Sequence, residues 1–460
     1  YELLLSESQE RMLIVARKGS EGEVGKIFEK WDLDAVVIGE VVEGDRMEMF
    51  FNGEKVVDLP VKFLTDEAPI YDRKYAPPAN LEERRGETQR LGIHAEDSCR
   101  GETQREAQVL PSDVPVSSPF NDILLKILSS PNIASKSYVF KQYDHMVQAR
   151  SVCLPERGDA AVLRVMEAGE KGIAITVEGN GRLCYLDPYA GSAAAVAEGV
   201  RNLACTGARA IGITDCLNFG NPERPDVMWE FVESVRGIAD ACKAFRIPVI
   251  SGNVSLYNET EGVSIYPTPT IGIVGILDDV NKTCGSAFRK DGDIIALLGL
   301  EEVSIAGSEY QRFFHEACRG KIPQVSLEFE KRLSDFLVAS IREGLLESAH
   351  DVSEGGLAVT LAECSLYGGG KIGFSVEIAR PAENAVENLF GEGPSRVVIS
   401  FEKKKSASLL SLAEKYDIPL KTIGQTGGDM ITIKPFADVQ LIKAFDAWAN
   451  GFTETLKGKS

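Results

Sequence analysis

Near its end the chain reads Leu389-Phe390-Gly391-Glu392-Gly393-Pro394-Ser395-Arg396-Val397-Val398-Ile399-Ser400, and near its start it reads Leu4-Leu5-Ser6-Glu7-Ser8-Gln9-Glu10-Arg11-Met12-Leu13-Ile14-Val15. The two stretches align without a gap. The same offset aligns Glu29-Lys30-Trp31-Asp32 with Glu414-Lys415-Tyr416-Asp417, and Ile38-Gly39 with Ile423-Gly424. Because the Glu, Arg, Asp and Gly positions all coincide, the pattern favours an internal duplication over a chance likeness of composition.

Each copy of the repeat predicts a loop that carries Glu, then an apolar strand, an amphipathic helix and a second strand. In the second copy a large piece precedes this shared segment, and it contains His350-Asp351-Val352-Ser353-Glu354-Gly355-Gly356-Leu357 and the helix after it. Nothing equivalent precedes Tyr1 in the sequence, so we expect the first copy to be truncated.

The two copies differ in the loop before the first strand. The first copy has Ser6-Glu7-Ser8-Gln9, which is rich in hydrogen-bonding side chains, whereas the second has Gly391-Glu392-Gly393-Pro394, which lacks the hydroxyls and the amide. Since one site of a duplicated enzyme often loses its function, we expect the first copy to be the one that binds a ligand.

Composition narrows the class of protein. The chain has 460 residues, of which 44% are hydrophobic and 26% charged, as in multi-domain globular proteins. The formal charge of -19 argues against a DNA or RNA partner. The sequence contains no apolar run long enough to span a membrane and no leader-like start. Its nine cysteines form no C-x-x-C pair, which favours reduced thiols in the cytoplasm.

The order of predicted elements divides the chain into four parts. Residues 1–66 are the tail of the first unit, and residues 67–118 form a linker in which Arg85-Gly86-Glu87-Thr88-Gln89-Arg90 recurs as Arg100-Gly101-Glu102-Thr103-Gln104-Arg105. This polar linker is expected to be partly disordered. Residues 119–285 form an α/β domain, with a helix predicted from Ser192 as its N-cap to Thr206. Residues 286–460 form the last domain.

Several common catalytic motifs do not fit this sequence. It has no P-loop and no G-x-S-x-G elbow. The spacing G-x-G-x-x-G occurs at Gly368, Gly370 and Gly373, but there a helix leads into it and a strand follows, which is the reverse of a dinucleotide site. We interpret it as a helix-ending turn.

Two predicted strands each end in a polar loop. Asp215 follows the first strand, and Gly252-Asn253 with Ser255 follows the second. Ligands of open α/β sheets bind beyond the carboxyl ends of strands, and a carboxylate with an amide oxygen suits Mg²⁺. Gly252 would let the backbone approach a phosphate, and Ser255 could donate to a substrate oxygen. On spacing alone, turns and caps formed by Asp and Asn explain these residues equally well.

Four long motifs occur in a fixed order, namely Leu5-Ser6-Glu7-Ser8-Gln9-Glu10-Arg11-Met12, Leu217-Asn218-Phe219-Gly220-Asn221-Pro222, Gly252-Asn253-Val254-Ser255-Leu256-Tyr257-Asn258-Glu259 and Ala349-His350-Asp351-Val352-Ser353-Glu354-Gly355-Gly356-Leu357. Together they resemble the phosphoribosylformylglycinamidine synthase family, more narrowly the large synthetase subunit of its multi-subunit bacterial form. The resemblance covers nearly the whole chain except the linker. It implies an α/β fold of PurM-like N-terminal-type and C-terminal-type domains, internally duplicated.

The resemblance implies a reaction of purine biosynthesis. ATP phosphorylates the formamide oxygen of formylglycinamide ribonucleotide, and ammonia from a separate glutaminase subunit then displaces phosphate. A small accessory subunit completes such a complex, which is cytoplasmic.

The resemblance also implies roles for single residues. Glu7, Ser8, Gln9 and Ser255 match substrate contacts, Asp215 and Gly252 match ATP contacts, and Asn253 matches a ligand of Mg²⁺. The family's catalytic His lies in an N-terminal part that has no counterpart in this sequence. His350 is expected to form a structural hydrogen bond at a helix start, and Cys216 to have no role.

Two other hypotheses stay open on the sequence. The chain could be a non-catalytic nucleotide-binding fragment that needs an N-terminal part for activity. It could also be a related enzyme such as aminoimidazole ribonucleotide synthetase, although Asn253-Val254-Ser255-Leu256-Tyr257-Asn258 argues against that.

Overall fold

The computed structural model describes residues 11–86, 119–378 and 384–458, and the chain divides into two compact units, Tyr1–Asp72 and Arg73–Ser460. We call them unit 1 and unit 2. The repeated hexapeptide at residues 100–105 and most of the predicted linker lie outside the described residues.

The described part of unit 1 contains four elements, which are helix α1 (Glu21–Glu29), strands β1 (Arg46–Phe51) and β2 (Glu54–Pro60), and helix α2 (Val61–Thr65). The two strands form an antiparallel hairpin. Asn52 and Gly53 join them, both with positive φ, and an Asn-Gly pair adopts this turn more readily than most residue pairs. The local sequence is therefore sufficient to specify the hairpin.

The strands predicted on either side of α1 are absent from the described part of unit 1. Residues 11–17 and 33–42 are irregular, so this prediction is wrong for the first copy. A strand is stable only when it pairs with another strand or packs on a core, and neither segment pairs within unit 1.

The first layer of unit 2 is a sheet of six strands in the order β3-β4-β5-β10-β6-β7. The strands of this layer, with the short hairpin β8-β9, are β3 (Ser151–Cys153), β4 (Ala161–Arg164), β5 (Gly172–Glu178), β6 (Arg209–Asn218), β7 (Val249–Ser255), β8 (Glu259–Thr260), β9 (Val263–Ser264) and β10 (Thr268–Leu277). The only parallel pair in the described part of this sheet joins β6 to the edge strand β7.

The helices between residue 73 and the end of the first layer are α3 (Leu81–Arg84), α4 (Pro119–Leu128), α5 (Ser137–Phe140), α6 (Gly181–Leu186), α7 (Pro188–Cys205) and α8 (Pro225–Phe245). Of these, α7 and α8 cover one face of the sheet. Alternate residues of β10 are buried beneath α7 and α8, whereas the opposite face of the sheet leaves Val177 and Ile250 exposed. Helix α7 begins at Pro188 and not at Ser192, because the side chain of Asp187 accepts from the N–H of Ala190 and Pro favours the first helical position.

The second layer of unit 2 is a sheet of seven strands in the order β12-β14-β11-β15-β13-β16-β17. Its strands are β11 (Ile294–Gly299), β12 (Ser348–Asp351), β13 (Phe374–Glu377), β14 (Arg396–Phe401), β15 (Leu420–Thr426), β16 (Met430–Lys434) and β17 (Ala437–Gln440). Its helices are α9 (Glu309–His315), α10 (Leu327–Arg342), α11 (Gly356–Leu366), α12 (Ala385–Phe390), α13 (Ser406–Tyr416) and α14 (Leu441–Leu456).

Between α11 and β13, Gly368, Gly369 and Gly370 all have positive φ. This confirms the interpretation of the Gly368 to Gly373 motif as a helix-ending turn rather than a dinucleotide loop.

Two segments pack where the sequence did not predict them. Helix α4, at the start of the predicted 119–285 domain, is buried in the core of the second layer with Trp448, and the N–H of Ser135 donates to the Trp448 carbonyl at 3.0 Å. In the predicted linker, Arg84 forms an ion pair with Glu230 at 2.7 Å and Arg85 one with Asp187 at 2.9 Å. Residues 73–86 are therefore a strap on unit 2.

A buried ion network joins the two layers. Arg201 on α7 donates to Asp351 on β12 and to Glu330 on α10, and all three side chains are almost completely buried. Burial of charge is costly unless each group is paired, and here one guanidinium pairs with both oxygens of Asp351 and with Oε1 of Glu330. The two layers of unit 2 are thus held in one arrangement.

Candidate functional site at the edge of the first sheet

Asp215 and Gly252 lie side by side on neighbouring parallel strands. β6 pairs with β7 so that these two residues are in register. A Cβ atom on Gly252 would overlap with Oδ1 of Asp215, so only glycine leaves room for this carboxylate. Partial burial raises the pKa of Asp215, and the structure gives its carboxylate no hydrogen bond or ion pair to the described residues. Asp215 thus provides a hydrogen-bond acceptor next to Gly252, where no side chain covers the backbone.

Asn253 and Ser255 belong to the same edge strand. The side-chain N–H of Asn253 lies 3.7 Å from the sulfur of Cys216, and the hydroxyl of Ser255 lies 3.2 Å from Oδ1 of Asn258. The amide N–H group of Asn258 also donates to the carbonyl oxygens of Phe219 and Ser255. This fixes Ser255 at the end of β7 and leaves the amide oxygen of Asn253 available.

The four predicted residues are divided between the two faces of the sheet. Successive side chains of a strand point to opposite faces. Asp215 and Gly252 share the face covered by helices, whereas Asn253, in register with Cys216, is on the open face with Ser255. All four lie within strands, so the prediction that they follow the strand ends is wrong. The strands continue further than the apolar pattern because polar residues take part in the β6–β7 ladder.

The residues are compatible with Mg²⁺ and a nucleotide, although few of them could bind a metal. Asn253 offers an amide oxygen and Asp215 a carboxylate without a protein partner among the described residues, the oxygen types that Mg²⁺ accepts. The described ranges contain no group of three or more His, Cys, Asp or Glu side chains arranged to hold a metal ion. Such a site fits a metal that takes its remaining ligands from phosphate and water.

Glu7, Ser8 and Gln9, the predicted substrate loop, lie outside the described residues. The aligned loop of the second copy is described. Glu392 there accepts from the N–H groups of Glu309 and Gly355, each at 2.8 Å. Burial, with the nearby Glu354, raises the pKa of Glu392 to about 8. In the second copy Glu392 therefore links the backbone of Glu309 to that of Gly355 through hydrogen bonds.

His350 and the cysteines play no part in the edge-strand geometry apart from Cys216. His350 lies in β12, not at a helix start, with Nδ1 2.7 Å from Asp159 and Nε2 3.3 Å from Glu363. The prediction of a structural hydrogen bond is confirmed, and its predicted location is wrong. Cys216 contacts Asn253. The described cysteines are all free thiols.

A cavity of about 870 Å³ lies elsewhere in unit 2, between its two layers, and the sequence did not reveal it. Asn180 and Arg182 line it from the first layer, and Arg312 from the second. Both guanidinium groups contact the buried Glu309. Asn180 caps α6 with its side chain, so an Asn between two glycines after a strand was the available signal. None of the predicted site residues lines this cavity.

Two families match the chain over both layers. Residues 157–277 match the AIR synthase related protein, N-terminal domain, and residues 1–52 and 290–433 match the AIR synthase related protein, C-terminal domain. The match to residues 1–52 independently supports the repeat.

Curated relatives give a narrower result. Phosphoribosylformylglycinamidine synthase subunit PurL of Anaeromyxobacter sp. (strain Fw109-5) is 45% identical over 469 residues, covering 99% of this chain and 58% of the relative. The chain belongs to the PurL family. The PurL subunit of Moorella thermoacetica is 44% identical over 434 residues, covering 94% of this chain and 56% of the relative. The chain thus spans little more than half the length of these PurL proteins.

Solved structures of the PurL family share the fold. T. maritima PurL complexed with ATP matches with a TM-score of 0.57 at 23% identity, covering 93% of this chain and 56% of that one. T. maritima PurL complexed with FGAR matches with a TM-score of 0.58 at 16% identity, covering 71% of this chain and 53% of that one. The predicted α/β fold of PurM-like type is therefore confirmed. Among the described residues, no helix has both the length and the apolar character that crossing a bilayer requires.

Proposed function

We propose that this chain takes part in the ATP-dependent conversion of formylglycinamide ribonucleotide to formylglycinamidine ribonucleotide, a step of purine biosynthesis that uses glutamine-derived ammonia. The observation that carries the proposal is the 45% identity to a PurL subunit over 99% of this chain. The geometry at the sheet edge adds support, because it combines a carboxylate, an open backbone and an amide oxygen.

In this proposal Asp215 and Gly252 contact ATP, Asn253 is a ligand of Mg²⁺, and Ser255 with Glu7, Ser8 and Gln9 contacts the ribonucleotide. The Asp215 carboxylate could accept from a hydroxyl or amino group of the nucleotide, because no described residue occupies it. The lack of a side chain at Gly252 allows a ligand to approach the backbone. Ser255 is positioned by Asn258 and can donate its hydroxyl proton to a substrate oxygen.

The proposed reaction has two steps. Because formylglycinamidine keeps its formyl group, the reacting atom is the carbonyl oxygen of the glycinamide amide and not the formamide oxygen. This oxygen attacks the γ-phosphorus of ATP, and ADP leaves. Ammonia then attacks the activated carbon, inorganic phosphate leaves and a proton is lost, which gives the amidine. When bound, Mg²⁺ offsets the negative charge of the phosphates. The residues of this chain bind and orient the two substrates so that the oxygen and the phosphorus meet.

Further parts of the proposal concern the rest of the enzyme. We place the catalytic groups in the N-terminal part of the PurL protein, as the family resemblance implies, and we propose a glutaminase subunit and a small accessory subunit as its partners. A structure of PurLQS from Thermotoga maritima supports such an assembly. The free thiols of the described cysteines are compatible with a cytoplasmic location. The alternative function is a non-catalytic nucleotide-binding fragment.

The assignment of Asn253 is tested by calorimetry with the magnesium complex of AMPPCP. We expect Asn253→Ala to weaken binding at least tenfold, because an oxygen ligand is lost. Asn450→Ala, on the exposed surface of α14, is the matched control and should bind like the wild type. Equal affinities for the wild type and Asn253→Ala would remove Asn253 from the site.

The enzyme hypothesis is separated from the fragment hypothesis by an assay of amidine formation from ammonium. The chain is assayed alone and with the part of the Anaeromyxobacter relative that it does not cover. Activity only in the mixture is expected. No activity in either case would favour the fragment, and activity of the chain alone would contradict the placement of the catalytic groups elsewhere.

A further inference from the structure

Three side chains form a hydrogen-bonded row on the open face of the six-stranded sheet. Asn218 and Cys216 lie two residues apart on β6, and Asn253 is in register with Cys216 on β7, so all three point to the same face. The sulfur of Cys216 lies 3.8 Å from Oδ1 of Asn218 and 3.7 Å from Nδ2 of Asn253. The thiol is therefore placed between two side-chain amides, of which Asn253 is the magnesium ligand of the proposed function.

The Asn218 end of this row has a fixed direction. Nδ2 of Asn218 donates to the carbonyl oxygen of Cys216 at 2.9 Å and to that of Thr268, on the neighbouring strand β10, at 3.1 Å. A carbonyl oxygen can only accept, and an amide nitrogen has two protons, so both N–H bonds of Asn218 are used. If the amide turned over, its oxygen would face two other oxygens. Oδ1 of Asn218 therefore faces the thiol.

The thiol passes this direction on to Asn253. Because Oδ1 of Asn218 can only accept, the S–H group of Cys216 donates to it, and the sulfur remains free to accept. The sulfur then accepts from Nδ2 of Asn253. Nδ2 of Asn218 also lies 3.6 Å from the sulfur, but its two protons are already taken by the carbonyl oxygens. Each hydrogen bond of the row thus has one direction.

The row ends at the amide oxygen of Asn253. Since its nitrogen is held by the sulfur, the Asn253 side chain presents Oδ1 to the open face, and no described residue hydrogen-bonds to that oxygen. Asn253 is exposed, so its amide would otherwise turn freely and present the N–H₂ group as readily as the oxygen. Mg²⁺ takes oxygen ligands, and an N–H₂ group cannot replace one. The direction of the row therefore matters to a cation site.

We propose that Cys216 and Asn218 are positioning residues for Asn253, which orient its amide so that the oxygen, and not the N–H₂ group, faces the metal bound to the nucleotide. The inference rests on the proposed function, because it takes Asn253 as the ligand of Mg²⁺. It deepens that function by giving a task to Asn218 and to Cys216, which was expected to have no role. In this proposal neither residue contacts the metal itself.

The experiment measures the affinity of the chain for AMPPCP by calorimetry, once with Mg²⁺ and once with EDTA. The ratio of the two affinities isolates the contribution of the metal. Cys216→Ala removes the acceptor that holds Asn253 and should lower the affinity with Mg²⁺ about fivefold, the effect of one ordinary hydrogen bond. The affinity in EDTA should stay unchanged, whereas a general disturbance of the sheet would lower both.

Two further single variants make the test specific. Cys216→Ser keeps a group that both donates and accepts, so it should bind the magnesium complex more tightly than Cys216→Ala. Cys318→Ala is the matched control, because Cys318 is the other partly exposed thiol among the described cysteines, and it should bind like the wild type.

Double variants test whether Cys216 acts through Asn253. In an Asn253→Ala background there is no amide to orient, so the addition of Cys216→Ala should cause no further loss of affinity for the magnesium complex. Asn218→Ala, added to Cys216→Ala, should likewise lower the ratio of affinities no further, because the row is already broken at the thiol.

Three results would overturn the proposal while leaving the proposed function in place. They are a loss of affinity in Asn253→Ala that Cys216→Ala does not share, a loss in Cys216→Ala that is equal with Mg²⁺ and with EDTA, and losses of the two variants that add in the double variant. Equal affinities of the wild type and Asn253→Ala for the magnesium complex are a distinguishable result, which would overturn the assignment of Asn253 and the inference with it.

Discussion

Ile14 and Ile399 occupy the same position in two copies of one repeat, yet the first is half exposed and the second is completely buried. Ile38 and Ile423 differ in the same way. The residue types are identical, so hydrophobicity cannot explain the difference. Among the described residues no strand pairs with residues 11–16 or 35–41, whereas β14 and β15 have partner strands on both sides. The comparison teaches that an apolar strand pattern specifies a strand only when the rest of its sheet is present.

The helix, unlike the strands, forms in both copies, although only α13 has buried residues. α1 (Glu21–Glu29) and α13 (Ser406–Tyr416) begin at aligned positions. A helix satisfies its main-chain hydrogen bonds within its own segment, whereas a strand must find them in another. Substitutions that change side-chain packing should therefore lower the free energy of unfolding far more in the second copy than in the first.

The largest expected effect concerns the ion network that surrounds the second copy. Arg201→Met leaves Asp351 and Glu330 buried without their cation, and should lower the free energy of unfolding of unit 2 by ~3–5 kcal/mol. Denaturant unfolding followed by tryptophan fluorescence measures this. Arg236→Met, at a largely exposed arginine of α8, is the control and should have a small effect. Equal effects of the two variants would contradict a role of the network in stability.

The aligned isoleucines test the comparison directly. Ile399→Ala removes a buried side chain from β14 and should lower the free energy of unfolding by ~2–5 kcal/mol. Ile14→Ala should change it by less than ~0.5 kcal/mol, because that side chain is already in water. Chemical denaturation of both variants gives the two values. A large loss for Ile14→Ala would mean that residues 11–16 are packed.

A smaller effect is expected from pH. The folded-state pKa of Glu392 is raised to about 8 by burial and by Glu354, so its contribution to stability is greatest below the ordinary pKa and is lost as pH rises toward 8. The loss should be on the order of 2 kcal/mol between pH 5 and pH 7.

Glu392→Gln keeps an acceptor oxygen and should flatten this dependence, which thermal unfolding at a series of pH values measures. In the proposed function, the aligned variant Glu7→Gln should weaken binding of the ribonucleotide. An identical pH dependence in Glu392→Gln and the wild type would contradict the raised pKa.

The smallest effect separates helix propensity from packing. Gly25 lies in α1 at the position of Leu410 in α13, and no atom lies within 4 Å of a Cβ added there. Gly25→Ala should stabilise α1 by about 0.5–1 kcal/mol, measured as slower amide exchange of residues 21–29. Gly428→Ala, at a glycine with positive φ in a turn, is the opposite control and should destabilise.

Much of the fold was predictable because it depends on local pattern. The helix-ending turn after α11 was predicted from the glycines at 368, 370 and 373. The predicted N-cap of α7 was wrong by five residues, since Asp187-Pro188 is a stronger start signal than Ser192. The packing of α4 on α14 could not be predicted, because the sequence of α4 does not indicate whether it packs in the core of the first layer or in that of the second.

The site was predictable in its residue types and not in its arrangement. The sequence indicated Asp215, Gly252, Asn253 and Ser255, and β6 and β7 are indeed neighbours. The division of these residues between two faces depends on the register and length of the strands. The contact of Asn258 with Ser255 was missed although it is local, and the cavity lined by Arg182 and Arg312 was missed because it is assembled from distant parts of the chain.

The sequence by itself determined the duplication, the helices of both copies, the Asn52-Gly53 hairpin and membership of the PurL family. These follow from features that lie within a short stretch, or from the order of such stretches along the chain. Only the tertiary structure decided that Ile399 is buried and Ile14 is not, that Glu392 binds backbone, and that Asp215 and Asn253 face opposite ways. Each of these depends on a partner from another part of the chain, because strands, buried carboxylates and sheet faces are defined by what lies beside them.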